Sequence, residues 1–143
     1  MRNVFLAIKN RLFSEMLKRC IPKKLKILNG NGRCNGEGLK EALEGGADLI
    51  FMDWNHICHL KKTLPKAKVI VTSDTYDLKR EYLSARIGAK GFITRDIEKE
   101  SLMRVIDVIG SGQIWMTREV GTKVFHEYRK AVQSNTIKKR GIP

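Results

Sequence analysis

Acidic residues are scarce in this 143-residue chain. Asp plus Glu number 15 against 28 Lys plus Arg, a formal net charge of +13. Such a surplus attracts polyanions and acidic partners and weakens the compact state by self-repulsion, but it specifies no fold. Cysteine is scarce too. Cys20, Cys34 and Cys58 are odd in number and scattered, which argues against a disulfide framework and for a reducing cytoplasm. Each reads as a small buried or half-buried hydrophobe. Long apolar runs are missing, and none approaches the ~20 residues of a membrane span. The opening Met1-Arg2-Asn3-Val4-Phe5-Leu6-Ala7-Ile8 has a short apolar part, soon followed by Lys9 and Arg11. A secretory leader is therefore not expected. The expectation is a cytoplasmic protein without membrane contact. Core-forming material is present: hydrophobic residues make up 42%, so the chain is not predominantly disordered. Its length suits one domain.

Apolar runs alternate with amphipathic stretches. Residues 4–8, 25–28, 49–52, 69–71 and 91–94 read as short buried strands. Between them, helical spacing marks Leu12, Phe13, Met16, Leu17 and Cys20, with Pro22 as the stop. Leu39, Ala42 and Leu43 mark a second helix ending at Gly45-Gly46. A weaker signal covers 57–64 and is closed by Pro65. Leu78, Tyr82, Ala85 and Ile87 mark a fourth, and Leu102, Val105, Ile106 and Ile109 a fifth. Five strands alternating with five helices predict an α/β fold with a parallel sheet covered on both faces. The working site of such a sheet lies at the carboxyl ends of its strands. That points past Ile8, to Asp53, to Ser73 and to Arg95.

The order of these pieces resembles the receiver domains of response regulators, the CheY-like fold, and most of all the NarL/FixJ type. The resemblance rests on five stretches across about residues 2–120. Arg11-Leu12-Phe13-Ser14-Glu15-Met16-Leu17 is similar to the family's first helix. Asn35-Gly36-Glu37 with Leu39 and Ala42-Leu43 resembles the second. Asp48-Leu49-Ile50-Phe51-Met52-Asp53 resembles the strand that carries the phosphoacceptor aspartate. Gly88-Ala89-Lys90-Gly91-Phe92-Ile93-Thr94-Arg95-Asp96 resembles the fifth-strand signature, and Gly112-Gln113-Ile114-Trp115-Met116-Thr117 the turn after the last receiver helix. The resemblance implies a flavodoxin/CheY-like (βα)5 doubly wound parallel sheet over residues 1–116. An amphipathic linker or dimer helix follows over 117–134, then a basic flexible tail over 135–143.

By the same resemblance Asp53 stands at the phosphoacceptor position, and Ser73 and Arg95 at the two phosphate-pocket positions. Phe92 stands at the switch aromatic. Tyr82, Phe92 and Leu102 are candidates for a dimer face. The family's acidic pair, which helps to hold Mg²⁺, is replaced by Ile8 and Lys9. Mg²⁺ takes oxygen ligands, usually carboxylates, and without a cation a carboxylate and a phosphate repel. Where the family's pocket carries a formal −2, Asp53, Lys9 and Arg95 would sum to +1. At ~4 Å and an effective dielectric near 20, each unit pair is worth roughly 4 kcal/mol before desolvation. Lys9 is therefore expected to occupy the metal position and pair with Asp53. The segment from Asp53 to Pro65 lacks the family's Met-Pro pair and Gly, and it is shorter by about two to three helical turns. Trp54 is expected over the site.

These substitutions point to a pseudo-receiver. The chain is expected to be a non-enzymatic regulatory module, without cofactor or metal, acting in transcription regulation through a homodimer or a partner protein. Two rival readings stand beside it: a phosphorylatable receiver at Asp53, and a nucleic-acid-binding protein using basic surface and tail. From Lys123 onward six basic residues face one acid, Glu127, so most of the surplus charge lies before the tail. DNA contact could also come from an output domain, which needs about 60 further residues. Other constellations carry less. The glycines between Gly30 and Gly38 lack the G-x-G-x-x-G spacing and follow the second strand. His56, Cys58 and His59 sit too close together for the usual structural zinc patterns.

Overall fold

Five short strands pair in parallel in the order β2-β1-β3-β4-β5: β1 Asn3–Ala7, β2 Lys26–Leu28, β3 Leu49–Asp53, β4 Lys68–Ser73 and β5 Gly91–Thr94. The structure is a computed structural model that describes residues 2–28, 44–57 and 67–139, with side chains up to 133. Five helices lie within those residues: α1 Arg11–Cys20, α2 Trp54–Ile57, α3 Leu78–Arg86, α4 Lys99–Gly110 and α5 Arg118–Lys139. The expected second helix and the Gly30–Gly38 loop lie outside the described residues. So do Cys34, Cys58 and His59.

The centre of the sheet is buried on both sides because its strands β1, β3 and β4 carry consecutive apolar residues, Val4–Ala7, Leu49–Met52 and Val69–Val71. All five residues of β3 are buried. Side chains alternate across a strand. Leu49 and Phe51 of β3, with Val4, Leu6, Ile70 and Ile93, therefore face α1 and α4. Ile50 and Met52, with Phe5, Val69, Val71 and Phe92, face the other way. On the first side Phe13 and Leu17 of α1 and Leu102, Val105, Ile106 and Ile109 of α4 complete the core. Each fully buried side chain of this kind contributes roughly 1.5–3 kcal/mol. Cys20 belongs to this core at 3% exposure, and burial raises its thiol pKa.

Local signals set the element ends. Asn10 caps α1 by accepting the Phe13 N–H at 2.9 Å. Asp77 caps α3 by accepting the Arg80 N–H at 3.1 Å. Gly88 closes the turn after α3 with φ +106°, a conformation that a side chain disfavours. Asp48 accepts the backbone N–H groups of Arg2 at 2.8 Å and Asn3 at 2.9 Å, tying the start of β3 to that of β1. The Asn3 and then the Arg2 N–H bonds hold its carboxyl below the usual range. Gly91 starts β5 where a Cβ would stand 3.3 Å from Ile109 and 3.4 Å from Ile70. The missing side chain is what lets α4 settle on the strand.

Two elements differ from the sequence expectation. The helix after β3 begins at Trp54, directly on the strand, rather than at 57. The last helix runs unbroken to Lys139, through the first part of the segment expected to be a flexible tail. Its start packs on α3, with Val120 1% exposed. Tyr82 of α3 donates a short hydrogen bond to Glu127, and Lys123 lies 4.2 Å from the centre of the Tyr82 ring.

Candidate functional site

Strand parity decides which side chains meet at the carboxyl end of the sheet. Asp53 ends β3 and is 4% exposed. It pairs in register with Thr72 of β4, so the two side chains share a face. The Thr72 hydroxyl donates to Asp53 Oδ1 at 2.7 Å. Arg95, just past β5, has the parity of Ile93 and so reaches the same place. Its Nη2 stands 4.0 Å from Oδ1, and its Nε is buried without a hydrogen-bond partner. The guanidinium is thus near the carboxylate but loosely held.

Lys9 contributes differently from the expectation. Its backbone N–H donates to Asp53 Oδ2 at 2.9 Å, while its side chain is exposed. Ile8 turns into the core at 4% exposure, and alternation sends Lys9 outward. The ammonium makes no ion pair with Asp53. Ser73 has the opposite parity to Thr72 and faces α3. Its hydroxyl donates to the Thr75 carbonyl at 2.7 Å and accepts from Arg80 Nη1 at 2.9 Å. The same Arg80 nitrogen lies 2.9 Å from Asp74 Oδ1, and the guanidinium stands 5.6 Å from the centre of the Trp54 ring. Trp54 is half-buried beside the site. Counting positions singles out Ser73. The parity of Ile70, two residues before Thr72, is the signal that finds the hydroxyl bonded to Asp53.

Phe92 is 4% exposed and meets Tyr76 edge to face at 6.3 Å. Leu102 is fully buried in the core between sheet and α4. Tyr82 is partly covered by Lys123 and Glu127 of α5. These three residues therefore do not form one exposed face: two point inward and the third is occupied by the chain's own last helix.

No protein-family model matches the sequence, and no curated protein matches it either. Solved structures do. A response regulator from Thermotoga maritima aligns at 21% identity over 78% of this chain and 98% of its own, with a TM-score of 0.64. A LuxR family DNA-binding response regulator from Silicibacter pomeroyi aligns at 21% identity over 83% and 99%, with a TM-score of 0.62. The isolated REC domain of RcsB from Salmonella enterica serovar Typhimurium aligns at 12% identity over 87% and 98%, with a TM-score of 0.67.

The chain has the receiver fold. Receivers imply a Mg²⁺ ion beside the strand-end aspartate, so the donors at that place decide whether one fits. Among the four residues at these positions Asp53 supplies the carboxylate, and both its oxygens already accept hydrogen bonds. Ile8 offers no ligand atom, and Lys9 and Arg95 carry positive charge. Among the described residues no three His, Cys, Asp or Glu side chains gather in a metal-binding group. A hard cation that wants several oxygens does not fit this set. Among the described residues, no helix is long and apolar enough to cross a membrane.

Proposed function

We propose that this chain is a non-enzymatic signalling module of the response-regulator type that has lost Mg²⁺-dependent phosphorylation at Asp53. One observation carries the reading. The carboxylate is met by a hydroxyl, a backbone N–H and a nearby guanidinium, in a place where Ile8 and Lys9 stand for two acids. Such an aspartate is a structural fastener between β1, β3 and β4. A phosphoryl group entering there would displace the Thr72 bond at 2.7 Å and meet the Arg95 guanidinium in place of a divalent cation. Signalling would then run through contacts with a second copy or a partner protein. Transcription regulation is the process suggested by the DNA-binding regulators that share the fold, a warrant by analogy.

Intact-mass measurement after incubation with acetyl phosphate and Mg²⁺ tests the reading. The expected spectrum is unchanged. A stoichiometric gain of one phosphoryl group, absent from Asp53→Asn, overturns it and restores the phosphorylatable receiver.

A further inference from the structure

The parallel strands all begin on one side of the sheet, and that side carries a row of cations. Backbone hydrogen bonds order the row. Lys26 of β2 donates its N–H to Arg2 O at 2.8 Å, Lys68 of β4 to Asp48 O at 3.0 Å, and Lys90 to Val69 O at 2.8 Å. Arg2, Lys26, Lys68 and Lys90 therefore stand at the starts of β1, β2, β4 and β5. Lys23 and Lys24 extend the row in the turn that leads into β2. Lys68 is half-buried and donates to Gly110 O at 3.2 Å, and the other five are exposed. Among the described residues, none of these six forms an ion pair. The described acids at this end are Glu44, Asp48 and Asp107, so the six cations outnumber them two to one before Arg19 in the last turn of α1 is counted. Asp48 is engaged, since its Oδ2 accepts the N–H groups of Arg2 and Asn3. Neighbouring strands lie about 4.8 Å apart, so four steps from β2 to β5 spread the row over about 19 Å. One strand of duplex DNA presents a phosphate about every 3.4 Å of axis, and the row spans about five or six of them.

We propose that the amino end of the sheet is a contact surface for the phosphate backbone of duplex DNA. Three features select that occupant. Cations without ion partners, set in a line, match a regular polyanion, and the counterions that such contact releases drive the binding. A protein interface is built around an apolar core. The apolar side chains that adjoin the row, Leu25 and Ala89, are buried, and Ile114 near Lys90 is one exposed exception. Unpaired strands are gripped by stacking bases on aromatic side chains, and the row itself holds none, which favours a duplex. Contacts of this kind read no sequence. The surface lies at the opposite end of the sheet from Asp53, and it stands whether or not Asp53 takes a phosphoryl group.

Fluorescence anisotropy of a short labelled duplex of mixed sequence, titrated with the full-length chain at several salt concentrations, provides the test. With the exposed cations of the row in contact, log affinity should fall against log salt with a slope of about −4 to −5, at about 0.9 per phosphate. Between about 50 and about 200 mM salt the affinity should drop several hundredfold. Lys24→Gln, Lys26→Gln and Lys90→Gln together should make the slope shallower by about 2 to 3 and weaken binding at low salt about tenfold or more. Arg11→Gln, Lys79→Gln and Arg104→Gln together make the same charge change at exposed helix positions elsewhere. That control should move the slope by less than half as much. Equal effects of the two triple variants overturn the proposal, because net charge alone then accounts for the binding. A single strand bound more tightly than the duplex overturns it, and so does polyglutamate competing as well as the duplex per unit charge, which would make an acidic protein the occupant. Should the triple variant of the row fail to fold, Lys23→Gln with Lys24→Gln, both in the turn, replaces it. A slope shallower by about 2 is then expected, and an unchanged slope is fatal.

Discussion

Thr72 is the residue on which the strand-end site turns. Its hydroxyl is buried, and the bond it gives Asp53 is to a charged group. Thr72→Val keeps the shape and removes the donor. A hydrogen bond to a charged partner is worth about 1.5–3 kcal/mol, so urea unfolding should show a loss of that size. Asp53 and Arg95 were legible in the sequence because an apolar strand leads directly into each. The choice between Thr72 and Ser73 was not legible from position counting, because a one-residue shift reverses the face of a strand. The contact of Lys9 with Asp53 is not legible for a different reason: a sequence shows side chains, and here the backbone N–H makes the contact. Asp48 offers a second test at this scale. Its folded pKa is lowered by the Asn3 and Arg2 N–H groups. A depressed carboxylate adds stability above the unfolded value near 3.9, and that stability is lost as pH falls through the folded value. Asp48→Asn should therefore be less stable than the parent at pH 7, by urea denaturation. The gap should close as the pH falls below about 3.9.

At the scale of elements, the strands and the helices α1, α3 and α4 follow from apolar spacing, since each buries one defined face. The ends of α2 and α5 were harder. Asp53-Trp54-Asn55 holds no helix breaker, and the helix starts at once. Residues 134–139 carry no apolar period, yet α5 continues through them, because extending a formed helix costs far less than starting one. The tightest junction between elements is that of β5 with α4 at Gly91. A methyl group there would press on Ile109 at 3.3 Å and Ile70 at 3.4 Å. Gly91→Ala should lower stability by about 1–3 kcal/mol, the usual cost of overpacking a core. A cavity made in the same variant by Ile109→Val should recover part of it. Thermal unfolding of the single and double variants measures both effects.

For the whole molecule, the surplus charge is the property that sequence composition stated most plainly and structure altered least. A +13 protein will associate with duplex DNA at low salt unless its surface is unsuited to it. Electrophoretic mobility shift at two salt concentrations separates the two cases. A module working through protein contacts should lose duplex binding near physiological salt, and retention there would favour the nucleic-acid reading. The last helix adds a mechanical aspect. Its first turns rest on α3, through Val120, Lys123 and Glu127, and every described side chain from Phe125 to Gln133 is exposed. At 1.5 Å per residue, the stretch from Glu127 to Lys139 is about 18 Å long. A helix anchored near its start in this way has the geometry of a lever with α3 as its fulcrum. The helix that holds it also sends Arg80 to Ser73, Asp74 and Trp54. A tilt of α3 by about 10° would sweep the far end through about 3 Å. The length of the helix thus multiplies any change in the angle at which α3 holds it.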